Sequence, residues 1–325
     1  MPDAAPEISV VVPAYNQAPL LLRLLESLER LDNAEAVEII VVDDCSTDDT
    51  PQTMRRWMAK PLPFPVEYVR LEANLGPGRA RNTGIHRARA PVVAFTDSDC
   101  VVTPDWLVRL VRKLEPGGRV GGVGGKVLPL STRTVTARYY VFNRSLEPPA
   151  TGQYLVTCNC CYLREALLEA GAFTGDIRTP GGEDIAASIL MWKKGWYFGY
   201  DEEAVIYHDF RDNLFNFYNT WRNYGYGTGL VAHRLLSEGE LHPERGDYDV
   251  DHFWSVEPIG PTVTGVRSLL KDVRRSTADC RQAHLGLWRT VENEVLRVFE
   301  RLAYLRGWRM GVARHRRETA GGPPG

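Results

Sequence analysis

No stretch of this chain is apolar for long enough to span a bilayer. No basic and then apolar leader opens it either, because Met1 to Glu7 is short and acidic, so no signal peptide is expected. An excess of one charge is missing too: 39 Lys and Arg stand against 41 Asp and Glu, a formal charge of −2. That balance excludes the electrostatic footprint of a dedicated nucleic-acid binder. Cysteine is sparse, six in 325 residues. Cys158, Cys160 and Cys161 crowd together where near neighbours pair awkwardly. Cys158 and Cys161 make one C-x-x-C, but no second pair or nearby His completes a zinc pattern. Reduced, buried thiols in a cytoplasmic protein, either free or resting on a membrane surface, are the expectation. No G-x-G-x-x-G follows the first apolar run, which argues against a dinucleotide-binding oxidoreductase. No glycine-rich, basic phosphate loop stands there either, which argues against a nucleotidyltransferase. Internal repeats are absent.

What is present is a rhythm. Ile8 to Val12 is a β-branched run ended by Pro13 and reads as a buried strand. Leu20 to Leu31 has helical spacing, with Leu21, Leu24, Leu25 and Leu28 on one stripe. Val37 to Val42 is a second strand, and Ser46 to Asp49 supplies N-cap chemistry for a helix through Met58. Val66 to Leu71 is a third strand, Pro77 opens a helix towards Ala88, and Pro91 to Phe95 is a fourth strand. Alternating strands and helices predict a mostly parallel sheet flanked by helices. The strands are largely apolar, as in a sheet covered on both faces.

After residue 115 the rhythm changes. Strands are expected near Gly117 to Gly125, Tyr154 to Leu163, Tyr197 to Tyr200 and Ala204 to Tyr207. Helices are expected over Arg164 to Ala170 and Glu183 to Lys194, and from Asn213 onward the chain reads as mainly helical. Residues 238–258 look like a linker and 319–325 like a disordered tail. The expected division is a catalytic domain over 1–212, a donor half to about 115 and an acceptor half after it, then a helical extension over 213–318.

In such a sheet ligands sit beyond the carboxyl ends of the strands, and the polar clusters lie there. Asn16 follows the first strand, Asp43 and Asp44 the second, Asn74 the third, Asp97 and Asp99 the fourth. Asp97-Ser98-Asp99 puts two carboxylates on one side of an extended stretch. They repel unless donors or a cation compensate, and Mg²⁺ or Mn²⁺ takes such ligands together with substrate phosphates. On these residues alone, a solvated turn explains the motif as well. Of Asp43 and Asp44, one fits a cap or turn and the other a ribose or base.

The motifs occur in a fixed order: Val11-Val12-Pro13-Ala14-Tyr15-Asn16, Val41-Val42-Asp43-Asp44-Cys45-Ser46, Asn74-Leu75-Gly76-Pro77-Gly78-Arg79-Ala80-Arg81-Asn82, and Phe95-Thr96-Asp97-Ser98-Asp99. Thr157-Cys158-Asn159, Gly182-Glu183-Asp184 and Ala204-Val205-Ile206-Tyr207-His208 follow. Over residues 8–230 this resembles a family 2 glycosyltransferase with the GT-A, Rossmann-like fold. The resemblance implies that Pro13, Ala14, Tyr15, Asn16, Asp43 and Asp44 line the nucleobase and ribose pocket. It implies that Gly76, Arg81, Asn82, Asp97 and Ser98 lie near ribose, diphosphate or sugar. Asp99, of the DXD motif, and His208 would ligate a divalent metal, Mn²⁺ or Mg²⁺. Asp184 would be the general base, with Glu183 beside it. Gly182, Cys158, Asn159 and Trp221 would lie on the acceptor side. A helix N-terminus at Asp184 would keep that carboxylate ionised at neutral pH.

The implied reaction is metal-assisted transfer of one sugar from a nucleoside diphosphate sugar, with uridine preferred, to an acceptor nucleophile, inverting the anomeric centre. A non-catalytic nucleotide-sugar binder or scaffold is the alternative. Ala186 and Leu190 stand where many members carry Asp and Arg, so the usual acceptor contacts are not expected. The Gln-x-x-Arg-Trp motif of processive synthases is absent. The aromatic and basic helices beyond Asn213 read first as a packed cover and second as a membrane-surface or acceptor site. Acceptor and oligomeric state stay open.

Overall fold

A computed structural model describes residues 5–114, 117–146, 154–210, 213–239, 277–280, 282–283 and 285–320. The chain forms two compact units. The first comprises Met1–Ser131 and Arg144–Phe210, the second Thr132–Asn143 and Arg211–Gly325. The segment Thr132–Asn143, expected in the acceptor half, belongs to the second unit.

In the first unit β1 (Ile8–Ala14), β2 (Val37–Asp43), β3 (Val66–Arg70) and β4 (Val92–Phe95) are mutually parallel, β1 pairing with both β2 and β4 and β2 with β3. Three more strands follow: β5 (Cys100–Val102), β6 (Val120–Pro129) and β7 (Cys160–Leu163). β8 (Tyr197–His208) completes one eight-stranded sheet of order β3-β2-β1-β4-β7-β6-β8-β5. The helices α1 (Ala18–Leu28), α2 (Thr50–Met58), α3 (Pro77–Arg87), α4 (Trp106–Val111), α6 (Arg164–Glu169) and α7 (Glu183–Lys193) flank it. Val11, Ile40, Val42, Val93 and Phe95 form one cluster with Ala80 and Ile85 of α3. The alternate residues Val10, Val12, Ile39 and Val41 are equally buried, so both faces are covered. Gly84 of α3 sits directly on the Val11 side chain, where any Cβ would collide. Close approach of helix to strand is why glycine stands there.

Two details escaped the apolar rhythm. β5 is only three residues long, and it exists because β8 pairs with it, Cys100 opposite His208. The two short strands expected at 197–200 and 204–207 are one strand. Its register against β6 slips between Gly125 and Lys126, which pair with Asp201 and Val205. The bulge at 202–204 is turned by Asp201, whose carboxylate accepts from the Glu203 amide at 3.0 Å. Tyr154 to Asn159 is also less regular than expected, and the strand there begins only at Cys160.

The second unit contains α5 (Val135–Asn143), α8 (Leu214–Ser237) and α9 (Leu287–Ala320). Gly225 lies against the backbone of Tyr304 and Gly229 against that of Trp308. Residue number therefore rises along both helices together, and α8 and α9 run parallel. Gly307 and Gly311 return the contact onto Arg222 and Tyr226. Glycines four apart on both partners bring backbone onto backbone. The buried carboxylate of Glu300, pushed up to about 8 by desolvation, accepts from the Tyr139 hydroxyl and ties α5 to α9. Of the expected linker, 240–258 lies outside the described residues. Of the expected tail, Thr319 and Ala320 are helical and 321–325 lie outside the described residues.

A Cβ at Gly229 would stand 2.7 Å from the Trp308 carbonyl oxygen, whereas one at Gly286 meets nothing within 4 Å. Gly229→Val should destabilise the second unit by about 1–3 kcal/mol through overpacking, and Gly286→Ala should not. Urea midpoints followed by circular dichroism check this; equal midpoints for the two variants would mean the helices do not pack backbone to backbone.

Candidate functional site

The carboxyl ends of β1, β2 and β4 lie along one sheet edge, and the loops that leave them are bound to one another. Asn16 adopts a left-handed backbone, φ 52°. Its side-chain oxygen accepts from the Thr47 amide at 2.7 Å, and its own amide donates to Ser46 Oγ at 3.0 Å. The β1 loop is thereby fastened to the β2 loop. Asp43 is wholly buried and accepts from the Tyr68 hydroxyl at 2.5 Å and the Ser46 amide at 2.7 Å. Asp44 accepts from the Leu75 amide at 2.7 Å through one oxygen and the Gly76 amide at 2.8 Å through the other. Gly76, at φ +90°, passes so close to Arg178 that a Cβ would stand 2.6 Å from its Cα. Pro13 and Ala14 close β1, and Tyr15 beyond them is 45% exposed, the one large ring of this motif turned outward.

The second cluster is built on Arg81, which α3 carries into the interior. Its guanidinium is 4% exposed, donating to Asp97 Oδ1 at 2.8 Å and to Glu183 Oε1 at 2.8 Å. Glu183 is completed by the Gly181 amide at 2.8 Å. The Phe173 ring lies 5.9 Å from the guanidinium carbon. Asn82, one residue on, spends both ends of its amide on the backbone of Phe173, at 2.7 and 3.0 Å. Asp184 is the second residue of α7, behind Glu183 and Gly182, whose φ of 92° makes the left-handed turn. Burial and the neighbouring Glu183 push Asp184 up to about 7, with Arg81 only partly offsetting them. The expectation that the helix N-terminus would hold it ionised is thus corrected: desolvation and a like charge outweigh the dipole.

The third cluster joins β4, β5 and β8. Asp99 Oδ1 stands 3.4 Å from His208 Nε2. Cys100 Sγ belongs to the same group, with the three ligand atoms within 4.8 Å of one another. His208 stacks on Phe210, which fixes the ring. Among the described residues, Asp99 Oδ1 and His208 Nδ1 are buried without a hydrogen-bond partner. A buried carboxylate oxygen and an imidazole left in that condition form a donor set that suits a divalent cation, so the residues present fit one. Asp99 Oδ2 accepts weakly from Gln17 at 3.4 Å, and Ser98 Oγ donates to the other end of the same amide.

The residues expected on the acceptor side divide between the two units. Asn159 is 1% exposed and fully engaged: it accepts from Trp106 Nε1 at 2.8 Å and donates to the carbonyls of Lys126 and Ala204, each at 2.9 Å. It knots α4, β6 and β8 together and has no donor left to offer. Cys158, Cys160 and Cys161 are buried free thiols, all pushed up by desolvation. Trp221 belongs to the second unit, buried and stacked on Tyr140 at 6.0 Å. Sequence reasoning missed Gln17, Trp106 and Tyr68. Gln17 could have been found, because it follows Asn16 directly at the strand end.

Two family models match the chain: glycosyl transferase family 2 over residues 9–170, and glycosyl transferase family group 2 over residues 92–313. Among relatives, the succinoglycan biosynthesis protein ExoO of Rhizobium meliloti is 40% identical over 117 residues, 36% of this chain and 32% of its own. An N-acetylglucosaminyltransferase of Mesorhizobium japonicum is 30% identical over 220 residues, 62% of this chain and 50% of its own. The chain therefore spans a third to a half of the length of these relatives. Among solved structures, the mannosyltransferase PcManGT of Pyrobaculum calidifontis, in complex with GDP-Man and Mn²⁺, superposes with a TM-score of 0.67 at 19% identity. The match covers 96% of this chain and 88% of that one, and shows the fold: GT-A, as the strand order implies.

The raised Asp184 carboxyl has a consequence for stability. Its folded value, about 7, lies above the ordinary 3.8, so the native state holds this proton more tightly than the unfolded chain does. Stability is therefore lost as pH rises from the ordinary carboxylate range through about 7. Asp184→Asn removes that loss. Its melting temperature relative to the wild type should climb steadily across this range in metal-free buffer. A difference that stays flat with pH would show that Asp184 titrates as an ordinary carboxylate.

Proposed function

Because the chain belongs to the family 2 glycosyltransferases, we propose that it moves a single sugar from a nucleoside diphosphate sugar to an acceptor nucleophile, inverting the anomeric centre. The observation that carries the reading is the Arg81 bridge. One buried guanidinium joins Asp97, on the donor strand end, to Glu183, next to Asp184. Donor-side and acceptor-side carboxylates thus belong to one rigid cluster.

The roles divide along the three clusters. Tyr15 offers the exposed ring face for the base, against a floor fixed by Pro13, Ala14 and Asn16. Asp43 and Asp44 hold that floor in place and keep the Gly76 loop beside it. Asp97, with one oxygen held by Arg81, turns the other towards ribose or sugar hydroxyls. Asn82 positions the Phe173 loop under Arg81. Asp99 and His208 would hold Mn²⁺ or Mg²⁺, which supplies positive charge for the departing diphosphate when bound. Ser98 and Gln17 orient Asp99. Asp184 takes the acceptor's proton as the acceptor attacks, and a value near 7 suits a general base at neutral pH. General-base assistance of this kind contributes about 10²–10⁴-fold. Uridine is the nucleoside we infer, as the family resemblance implies. The mannosyltransferase of the same fold binds GDP-Man, which makes guanosine nucleotides the control.

Thermal shift with a panel of UDP- and GDP-sugars, with and without Mn²⁺, tests the donor site. A metal-dependent rise with one diphosphonucleotide is expected, abolished in Asp99→Ala and in His208→Ala. No rise with any nucleotide, in a folded protein, would favour a non-catalytic scaffold. With the donor identified, kcat/KM should rise with pH through about 7, the value set by Asp184. Asp184→Asn should lose about 10²–10⁴-fold while still binding the donor, and the product's anomeric proton coupling should report inversion.

A further inference from the structure

Among the described residues no helix is long and apolar enough to cross a membrane, yet α9 carries an apolar face that α8 does not cover. The helix has 34 residues, a length of about 50 Å at 1.5 Å per residue. Leu296, Ala303, Gly307, Gly311 and His315 form its buried side. On the opposite side Trp288, Val291, Val295, Phe299 and Leu302 follow steps of three and four, one stripe at helical spacing. Trp288 is 80% exposed and Val295 62%. The Tyr218 ring lies 5.3 Å from Phe299, and Phe215, one turn before Tyr218 on α8, is 74% exposed and widens the patch. Monomeric soluble proteins rarely leave such a contiguous face in water.

The same stripe changes character along the helix. At 100° per residue, Arg306, Arg309, Arg316 and Arg317 fall on the continuation of the line through Val295 and Leu302, and all four are exposed. The acidic residues Glu292 and Glu318 are each paired, with Arg138 and Arg314. One face is thus apolar over its first four turns and basic after them. A second copy of the chain would have use for the apolar part alone. A bilayer interface takes both: acyl chains receive the apolar side chains and headgroup phosphates the guanidinium groups. Tryptophan at the edge of the patch suits that boundary.

We propose that the Trp288–Leu302 stripe of α9, with Phe215 beside it and the arginines beyond it, docks on an anionic lipid bilayer, the helix lying in the plane of the interface. The proposal rests on residues of the second unit alone.

The test is co-sedimentation of the full chain with vesicles of phosphatidylcholine alone and of phosphatidylcholine mixed with phosphatidylglycerol. Binding to the mixed vesicles is expected, weaker on the neutral ones and weakened by salt. Val295→Ser combined with Leu302→Ser should release the protein from both. Arg306→Glu combined with Arg309→Glu should weaken binding to the anionic vesicles by at least about 25-fold, at about 1 kcal/mol or fivefold for each arginine removed. Both variants alter exposed positions, so donor-induced thermal shift and circular dichroism should stay unchanged. Failure of the wild type to bind anionic vesicles, or equal binding by the Val295/Leu302 variant, would overturn the proposal. So would light scattering that shows a dimer abolished by the same substitutions in a protein that ignores lipid. None of these outcomes bears on donor binding.

Discussion

A guanidinium buried as deeply as that of Arg81 persists only where its charge is matched, because desolvating it alone would cost several kcal/mol. Asp97 and Glu183 match it from two sides, and each is in turn placed by a different part of the chain. Asp97 hangs at the end of a strand that the sheet fixes, and Glu183 starts a helix behind the Gly181-Gly182 turn. The glycines near this bridge answer to the same demand for space. Gly78 passes so near Thr174 that a Cβ would stand 2.5 Å from its carbonyl oxygen. Removing the cation would leave the buried carboxylate of Glu183 without its ion pair and Asp97 without its anchor, so the bridge is a condition for the site's shape.

The bridge also explains why Asp184 behaves as it does. Arg81 spends its two outer nitrogens on Asp97 and Glu183 and reaches Asp184 only through space. Two adjacent acids beside one cation leave a surplus of negative charge, and the surplus falls on Asp184. Its proton affinity is raised first by burial and then by this imbalance. A helix N-terminus lowers a carboxyl by a fraction of a unit to about one unit, which is too little to reverse burial combined with a like charge.

The parallel half of the fold was legible because its strands are short, apolar and punctuated: β1, β2 and β4 begin and end within two residues of the expected positions. The family was legible because the order of its motifs along the chain is distinctive. What the sequence hid was of two kinds. β5 and the β8 bulge arise from pairing between segments about a hundred residues apart, which no local periodicity reports. Asn159 was hidden in a different way. Its motif placed it near the acceptor, but only coordinates show Trp106 and two carbonyls using up its amide. The apolar stripe of α9 was visible as a periodicity, yet periodicity alone does not say which face a neighbouring helix covers. The glycines on α8 and α9 decide that, by turning the opposite side of α9 inward.

A pattern connects several of the motif residues. Asn16, Asp44, Asn82 and Asn159 all bind backbone groups of segments distant in sequence, Asn159 holding the Trp106 indole as well. Each replaces a hydrogen bond that irregular backbone would otherwise lack, and a buried loop without such a partner would pay the full desolvation penalty. Under the proposed function, the groups left to meet ligand are the Tyr15 ring, the second oxygen of Asp97, the Asp99–His208 pair and Asp184. Under the proposed function, the loop around Phe173 is where sugar selectivity is best sought, because Asn82 and Arg81 both bear on it.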